Sequence, residues 1–207
     1  LLDFYALDLE FAIDKRNNIH LLQVRPLTNT ELDSEDESVF DSIDNCIIKF
    51  KNLQKNSPFI LGDRAIFGIM PDWNPAEIIG TNPYSLSFDL YRYLITDEIW
   101  ATQRAEFGYK DVRPQPLLVS FAGHPYVDVR ASFNSFIPSD LTKSLSKKLV
   151  NCYIKRLCVY PHFHDKIEFE ILPTCYDLNF QKWKSILVEE NFSNEEIDEL
   201  ESGLKKI

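Results

Sequence analysis

Asp8-Leu9-Glu10-Phe11-Ala12-Ile13-Asp14, followed by Leu21-Leu22-Gln23-Val24-Arg25-Pro26-Leu27-Thr28, is the stretch around which the chain is read. Leu9, Phe11 and Ile13 alternate with Asp8, Glu10 and Ala12, the two-residue period of a half-buried strand. On the second arm Leu22 and Val24 alternate with Gln23 and Arg25. Lys15-Arg16-Asn17-Asn18 between the arms is polar and turn-prone, because Asn tolerates the left-handed conformation. A four-residue loop over 15–18 predicts Asp14 opposite Ile19, Glu10 opposite Gln23 and Asp8 opposite Arg25. The last two pairs then share one face of the hairpin.

Two carboxylates, an amide oxygen and a guanidinium on one patch suit a metal–phosphate site. Magnesium takes carboxylate and amide oxygens together with the oxygens of bound phosphates. The planar fork of Arg25 matches a phosphate bidentately. The plain alternative is an exposed hairpin face with one cross-strand ion pair, worth about 0.2–1 kcal/mol.

Asp-x-Glu-Phe-Ala … Leu-Leu-Gln-x-Arg-Pro-x-Thr, as it stands in residues 8–28, resembles the closing hairpin of the ATP-grasp domain in the phosphoenolpyruvate synthase and pyruvate phosphate dikinase family. The resemblance implies that Glu10 and Gln23 hold magnesium on ATP. It also implies that Arg25 touches the phosphates and that Asp8 supports them. Trp73-Asn74-Pro75-Ala76-Glu77 … Pro83-x-Ser85-Leu86-Ser87, then Gly123-x-Pro125-Tyr126-Val127-Asp128, resemble the region connecting the nucleotide domain to the phosphohistidine domain in related members. The family further implies an enzyme in which Mg-ATP phosphorylates a histidine on a mobile domain. That histidine hands the phosphate to a small-molecule acceptor such as pyruvate.

The 207 residues are long enough for one large domain or two small ones. A hydrophobic share of 44% with 13% aromatics describes a folded chain. The net charge of −10 argues against nucleic-acid and anionic-membrane partners, which select excess Lys and Arg. No apolar run approaches the ~18 residues of a membrane span, and no signal-peptide pattern opens the chain. Cys46, Cys152, Cys158 and Cys175 show no C-x-x-C spacing, which suggests free thiols and a cytoplasmic location.

Only six glycines occur, and none builds a phosphate-cradling loop. The glycine-rich lobe of an ATP-grasp domain and a Thr-Ser-His phosphohistidine motif are likewise absent from the sequence. The expectation is therefore a fragment of a multidomain enzyme, inactive alone, whose partners are ATP, an acceptor and the other domains of the parent.

Residues 29–44 carry seven acids and no base, from Glu31 to Asp44, and read as a solvated linker; 45–55 read as a short strand or helix. Domain boundaries are expected at 1–28 for the ATP-grasp remnant, 29–58 for the acidic linker and 59–207 for a mixed connecting domain. Within the last, Asn74 and Pro75 start a short helix to Ile79 that Gly80 closes. Asp72 and Trp73 just upstream are candidate pocket residues but read better as caps and anchors.

A longer helix spans 87–106, with Leu90, Tyr91, Leu94, Ile95 and Ile99 as its core stripe and Arg92, Asp97, Glu98 and Arg104 outside. Leu118–Ala122 and Tyr126–Arg130 form a hairpin about Gly123-His124. His124 reads as a turn-tip residue, and Asp128 with Arg130 as a strand-face pair, either at the surface or in an interface. A helix over 140–158 buries Leu141, Leu145, Leu149 and Tyr153. Cys158, His162, His164 and Asp165 fit no common zinc spacing and read as a helix-ending loop. Lys166–Leu172 alternates as a strand. Helices 178–190 and 193–205 end the chain, the second with a capping box on Ser193 and Glu196.

The fold class expected is α+β: the C-terminal hairpin of an ATP-grasp domain followed by a helix-rich mixed domain with small antiparallel sheets. A non-catalytic α+β binding module, in which residues 1–28 only add strands to a sheet, is the rival reading. A carbohydrate-binding domain is a third, weakened because the aromatics are spaced as core.

Overall fold

The computed structural model describes residues 7–26, 38–69 and 74–207. The chain divides into two compact units, Leu1–Asp36 and Glu37–Ile207, of mixed α and β structure. Residues 29–37, Asp72 and Trp73 lie outside the described residues.

The first unit is an antiparallel hairpin of β1 (Leu7–Ile13) and β2 (Ile19–Pro26). Its outer half has the expected register, Asp8 opposite Arg25, Leu9 opposite Val24 and Glu10 opposite Gln23. The inner half does not. Phe11 lies opposite Leu21, Ala12 opposite His20 and Ile13 opposite Ile19, so Asp14 does not face Ile19.

The turn supplies the reason. Asp14 N donates to Asn18 O and Asn17 N to Asp14 O, both at 3.0 Å. Asn17 takes a positive φ of 62°. The loop is thus one residue shorter than expected, and its last residue is left-handed. A bulge at Leu22 absorbs the difference. Without it, the shorter loop would set Glu10 against Leu22 and Asp8 against Val24. The bulge keeps Gln23 and Arg25 on the acidic face, and it lets apolar residues meet apolar residues on the other.

The second unit contains α1 (Ser38–Leu53), a helix that starts inside the expected acidic linker and runs through the 45–55 stretch read as a short strand or helix. Ile43, Cys46, Ile47 and Phe50 recur at helical spacing, a signal that the preceding run of acids obscured. The helix is tied down at its C-terminal end. Gln54 Nε2 donates to Ala65 O at 2.8 Å while its Oε1 accepts from Ala65 N at 3.0 Å. Arg130 Nη2 donates to Leu53 O at 2.8 Å and to Lys55 O at 3.3 Å, satisfying carbonyls the helix end leaves open.

The small sheet has the order β3 (Phe67–Gly68), β5 (His124–Asp128), β4 (Leu118–Phe121), all antiparallel. Its turn is Ala122-Gly123, both at positive φ, so Phe121 pairs with His124. That places the tight primed turn one residue earlier than expected. His124 Nδ1 lies 2.6 Å from Thr81 O, which tethers the start of β5 to the loop at Thr81.

Asp128 and Arg130 are not a surface or strand-face pair. Asp128 ends β5 and caps α5 (Val129–Asn134), accepting from Arg130 N at 2.9 Å and Ala131 N at 3.2 Å. All six residues of α5 are buried, and Phe133 packs edge-on to Tyr153 of α6 (Lys143–Val159) at 6.2 Å. Leu141, Leu145, Leu149 and Tyr153 are buried as expected. Gly62, at φ 106°, lets the backbone lie against Arg130 and Val150, because a Cβ there would come within 2.8 Å of Val150 Cγ1.

Two segments depart from their sequence reading for one reason. The helix expected over 87–106 is α3 (Ser85–Tyr91), a π turn over Arg92–Thr96, and α4 (Ile99–Glu106). The wide turn moves the buried face to Tyr91, Thr96, Trp100 and Ala101, leaving Leu90, Leu94 and Ile99 exposed. Asp97 accepts from Leu117 N and Leu118 N at 2.9 and 3.0 Å, holding the start of β4, and burial pushes its carboxyl up. Arg104 stacks on Phe136 at 4.1 Å rather than facing solvent.

The alternating stretch 166–172 is a second π turn, Ile167–Ile171, and not a strand. Ile167 and Ile171 are buried there, while Phe169 is 72% exposed. Arg156 holds the turn through Glu170 O at 2.9 Å. Over five residues a two-residue alternation fits either backbone. Helices α2 (Pro75–Ile79), α7 (Phe180–Glu189) and α8 (Asn194–Leu204) form as read, with Asn74 capping the first and the Ser193–Glu196 box the last.

Candidate functional site

The acidic face of the hairpin brings together the residues that the sequence singled out. Glu10 and Gln23 are direct cross-strand partners, and Asp8 and Arg25 form the next pair on that side. Arg25 Nη2 reaches back diagonally to Glu10 Oε1 at 3.5 Å, with both side chains partly exposed. Glu10 and Gln23 are thus neighbours across the strands, with the Arg25 guanidinium against the Glu10 carboxylate.

That donor set fits part of the shell of a hard divalent cation. Magnesium needs only one or two protein oxygens when phosphates and water supply the rest. Glu10 and Gln23 are the residues able to hold it, and Arg25 the one placed for phosphate. Among the described residues no group of three or more His, Cys, Asp and Glu side chains converges, so Cys158, His162, His164 and Asp165 do not assemble a closed metal site.

The tip of the hairpin is rigidified by Asp14. Its carboxylate accepts from Arg16 N at 2.8 Å, Asn18 N at 2.9 Å and Asn18 Nδ2 at 3.0 Å, and lies 3.2 Å from His20 Nε2. The Asn18 side chain, with its backbone and His20, holds the Asp14 carboxyl down to about 2. This residue fixes the three-residue loop that makes the bulge necessary. Asx-type bonding of Asp at a turn start was the available signal for it.

The other face of the hairpin is apolar: Leu9, Phe11, Ile13, Ile19, Leu21 and Val24 are between 39% and 70% exposed. A two-stranded sheet alone is marginal in water, and a face of this kind requires a covering layer.

No protein-family model matches the sequence, and neither a curated protein nor a solved structure is significantly similar to it. Among the described residues no helix is long and apolar enough to cross a membrane.

Sequence reasoning missed a second concavity. It lies in the second unit between α1 and the small sheet, and it took shape only once residues 38–53 were seen to be helical.

Proposed function

We propose that the Glu10–Gln23–Arg25 face is one wall of a Mg-ATP site in an ATP-dependent phosphotransferase of the phosphoenolpyruvate synthase type. In such an enzyme a histidine on a mobile domain takes phosphate from ATP and passes it to a small acceptor such as pyruvate. The observation that carries the reading is the bulge at Leu22, which keeps Gln23 beside Glu10 and Arg25 within 3.5 Å of it despite the shorter loop. Glu10 and Gln23 would hold magnesium, Arg25 would neutralise phosphate oxygens, and Asp8 would support them from the neighbouring pair. Magnesium supplies charge neutralisation on the polyphosphate when bound.

The open apolar face supports the same reading, since an ATP-grasp parent would cover it. One wall does not make a nucleotide site. Under this reading the 207 residues alone neither hydrolyse ATP nor bind it tightly, and micromolar binding of Mg-ATP to them in calorimetry would contradict it. A non-catalytic binding module is the second reading, and the same uncovered apolar face favours it.

The full-length enzyme separates the two. Incubation with Mg-ATP should leave acid-labile phosphate on a histidine, and chelating the magnesium should prevent it. If no phosphohistidine forms, the phosphotransferase reading falls.

A further inference from the structure

The second unit holds a cavity of about 670 Å³ between α1 and the small sheet. One wall is the α1 face carrying Ile43, Cys46, Ile47 and Phe50, at the i, i+3, i+4, i+7 spacing of a single helical stripe. The facing wall is aromatic. Phe67 of β3 stands edge-on to Phe50 at 5.7 Å and to Phe121 of β4 at 5.1 Å, and Phe121 meets Tyr126 of β5 at 5.7 Å. The rings form a continuous hydrophobic floor, with their polarised edges and faces interlocked.

The charged side chains that line the cavity are both cationic. Lys51 and Arg64 line the opening, and neither makes an ion pair among the described residues. Asp63, beside Arg64 in the chain, is already engaged by Lys147 at 2.7 Å and Asn151 at 2.8 Å. Lys49 lies 5.9 Å over the Phe121 ring. No carboxylate stands among the described lining residues. In a chain of net charge −10, this is a local reversal of sign over an apolar hole.

The helix that roofs the cavity is anchored at its C-terminal end through Gln54 and Arg130. Ile43 and Ile47 remain 49% and 44% exposed, so the stripe reaches the cavity without filling it. The concavity is open to solvent, and an apolar ligand covering its mostly apolar walls releases water that finds few polar partners there. The volume falls within the roughly 300–1,000 Å³ of small-molecule sites, which are apolar with a few placed polar groups.

We propose that this cavity binds a small amphipathic organic anion, with an acyl or aryl body against the Phe50–Phe67–Phe121–Tyr126 wall and one carboxylate, sulfonate or phosphate head on Lys51 and Arg64. The site is distinct from the hairpin face and does not depend on the phosphotransferase reading.

Calorimetric titration of the 207-residue chain with dodecanoate, 2-naphthalenesulfonate and neutral dodecanol tests it. Both anions should bind one-to-one and saturably, with dodecanol weaker by about tenfold, the scale of one well-placed charged contact. The double substitution Lys51→Gln, Arg64→Gln alters two exposed side chains and should weaken the anions about tenfold while leaving dodecanol unchanged. Cys46→Phe fills the cavity from the helix side and should abolish binding of all three, with circular dichroism checking that the fold survives. Three results would each overturn the proposal. These are binding of neither anion, equal affinity for dodecanoate and dodecanol, or concentration-dependent self-association that Cys46→Phe removes, which would assign the cavity to a second copy.

Discussion

The hairpin and the helical body place their charges in opposite ways. In the body, Arg130 is 1% exposed and spends its guanidinium on backbone carbonyls, binding Leu53, Lys55 and Gly62 into one corner. In the hairpin, Arg25 stands on a partly exposed face beside Glu10, with Gln23 opposite that carboxylate. The first arginine is committed to the fold, and its desolvation is offset by several acceptors. The second is held where a ligand can still reach it. Charge buried and bonded to backbone carbonyls reads as architecture; charge aligned by a bulge on an open sheet reads as a site.

Substitution of the two arginines is the sharpest way to break that contrast. Arg130→Ala leaves Asp128 buried without its neighbour and orphans three carbonyls, and should destabilise the body by about 3–5 kcal/mol in urea denaturation. Arg25→Ala should change the same transition by no more than about 0.5 kcal/mol. Similar effects for both would mean that the hairpin arginine is structural too.

The apolar residues extend the comparison. Leu149 is fully buried in α6, and Leu149→Ala should cost about 2–5 kcal/mol. Leu22, 68% exposed at the bulge, should tolerate Ala within about 0.5 kcal/mol, measured by the same denaturation.

Acid titration separates the regions by sign. Burial pushes the Asp128 carboxyl up to about 6 from 3.8, against the backbone N–H groups of Ala131 and Arg130. Between those pH values the folded body keeps a proton that the unfolded chain has released. The stability present below about pH 4 is therefore lost as the pH rises through about 6, by about 1–3 kcal/mol. Asp128→Asn keeps the cap and should flatten that slope in denaturation midpoints compared from pH 4 to 7.

The smallest effect belongs to the hairpin tip and runs the other way. Asp14, held down to about 2, supports the turn above its ordinary value of 3.8. That support is lost as the pH falls toward 2. Amide and Cα–H shifts of residues 14–18 should drift toward coil values on acidification, and Asp14→Ala should show the coil values already at pH 6.

What the sequence made legible follows from how local each signal is. The Asn74 cap, the Ser193–Glu196 box and the Leu141–Tyr153 stripe all depend on neighbours a few residues away. They were readable for that reason. The loop length was not, because Asp14 closes a three-residue turn through its own side chain, and only the compensating bulge restores the expected pairs. The two π turns were hidden as well: one extra residue per turn shifts the buried face from Leu90 and Leu94 to Thr96 and Trp100, and a five-residue alternation at 167–171 mimics a strand. The helix at 38–53 was masked by the acids that precede its apolar stripe, and with it the cavity. Arg130 looked like a strand-face charge because its carbonyl partners lie in segments as far away as residue 53.

Glu10 is where the central claim is most exposed to test. Glu10→Gln in the proposed full-length phosphotransferase keeps shape and hydrogen bonding but removes one negative charge from the proposed magnesium wall. Folding should survive, since Glu10 sits on an exposed face. Phosphate transfer from ATP to the mobile histidine should fall by about 10²–10³-fold, the usual cost of one well-placed electrostatic group. Exchange of phosphate between the phosphorylated histidine and the acceptor should continue unchanged, because that half-reaction makes no use of the ATP site. An enzyme carrying Glu10→Gln that phosphorylates its histidine from ATP at the normal rate would contradict the account and leave the hairpin as scaffolding.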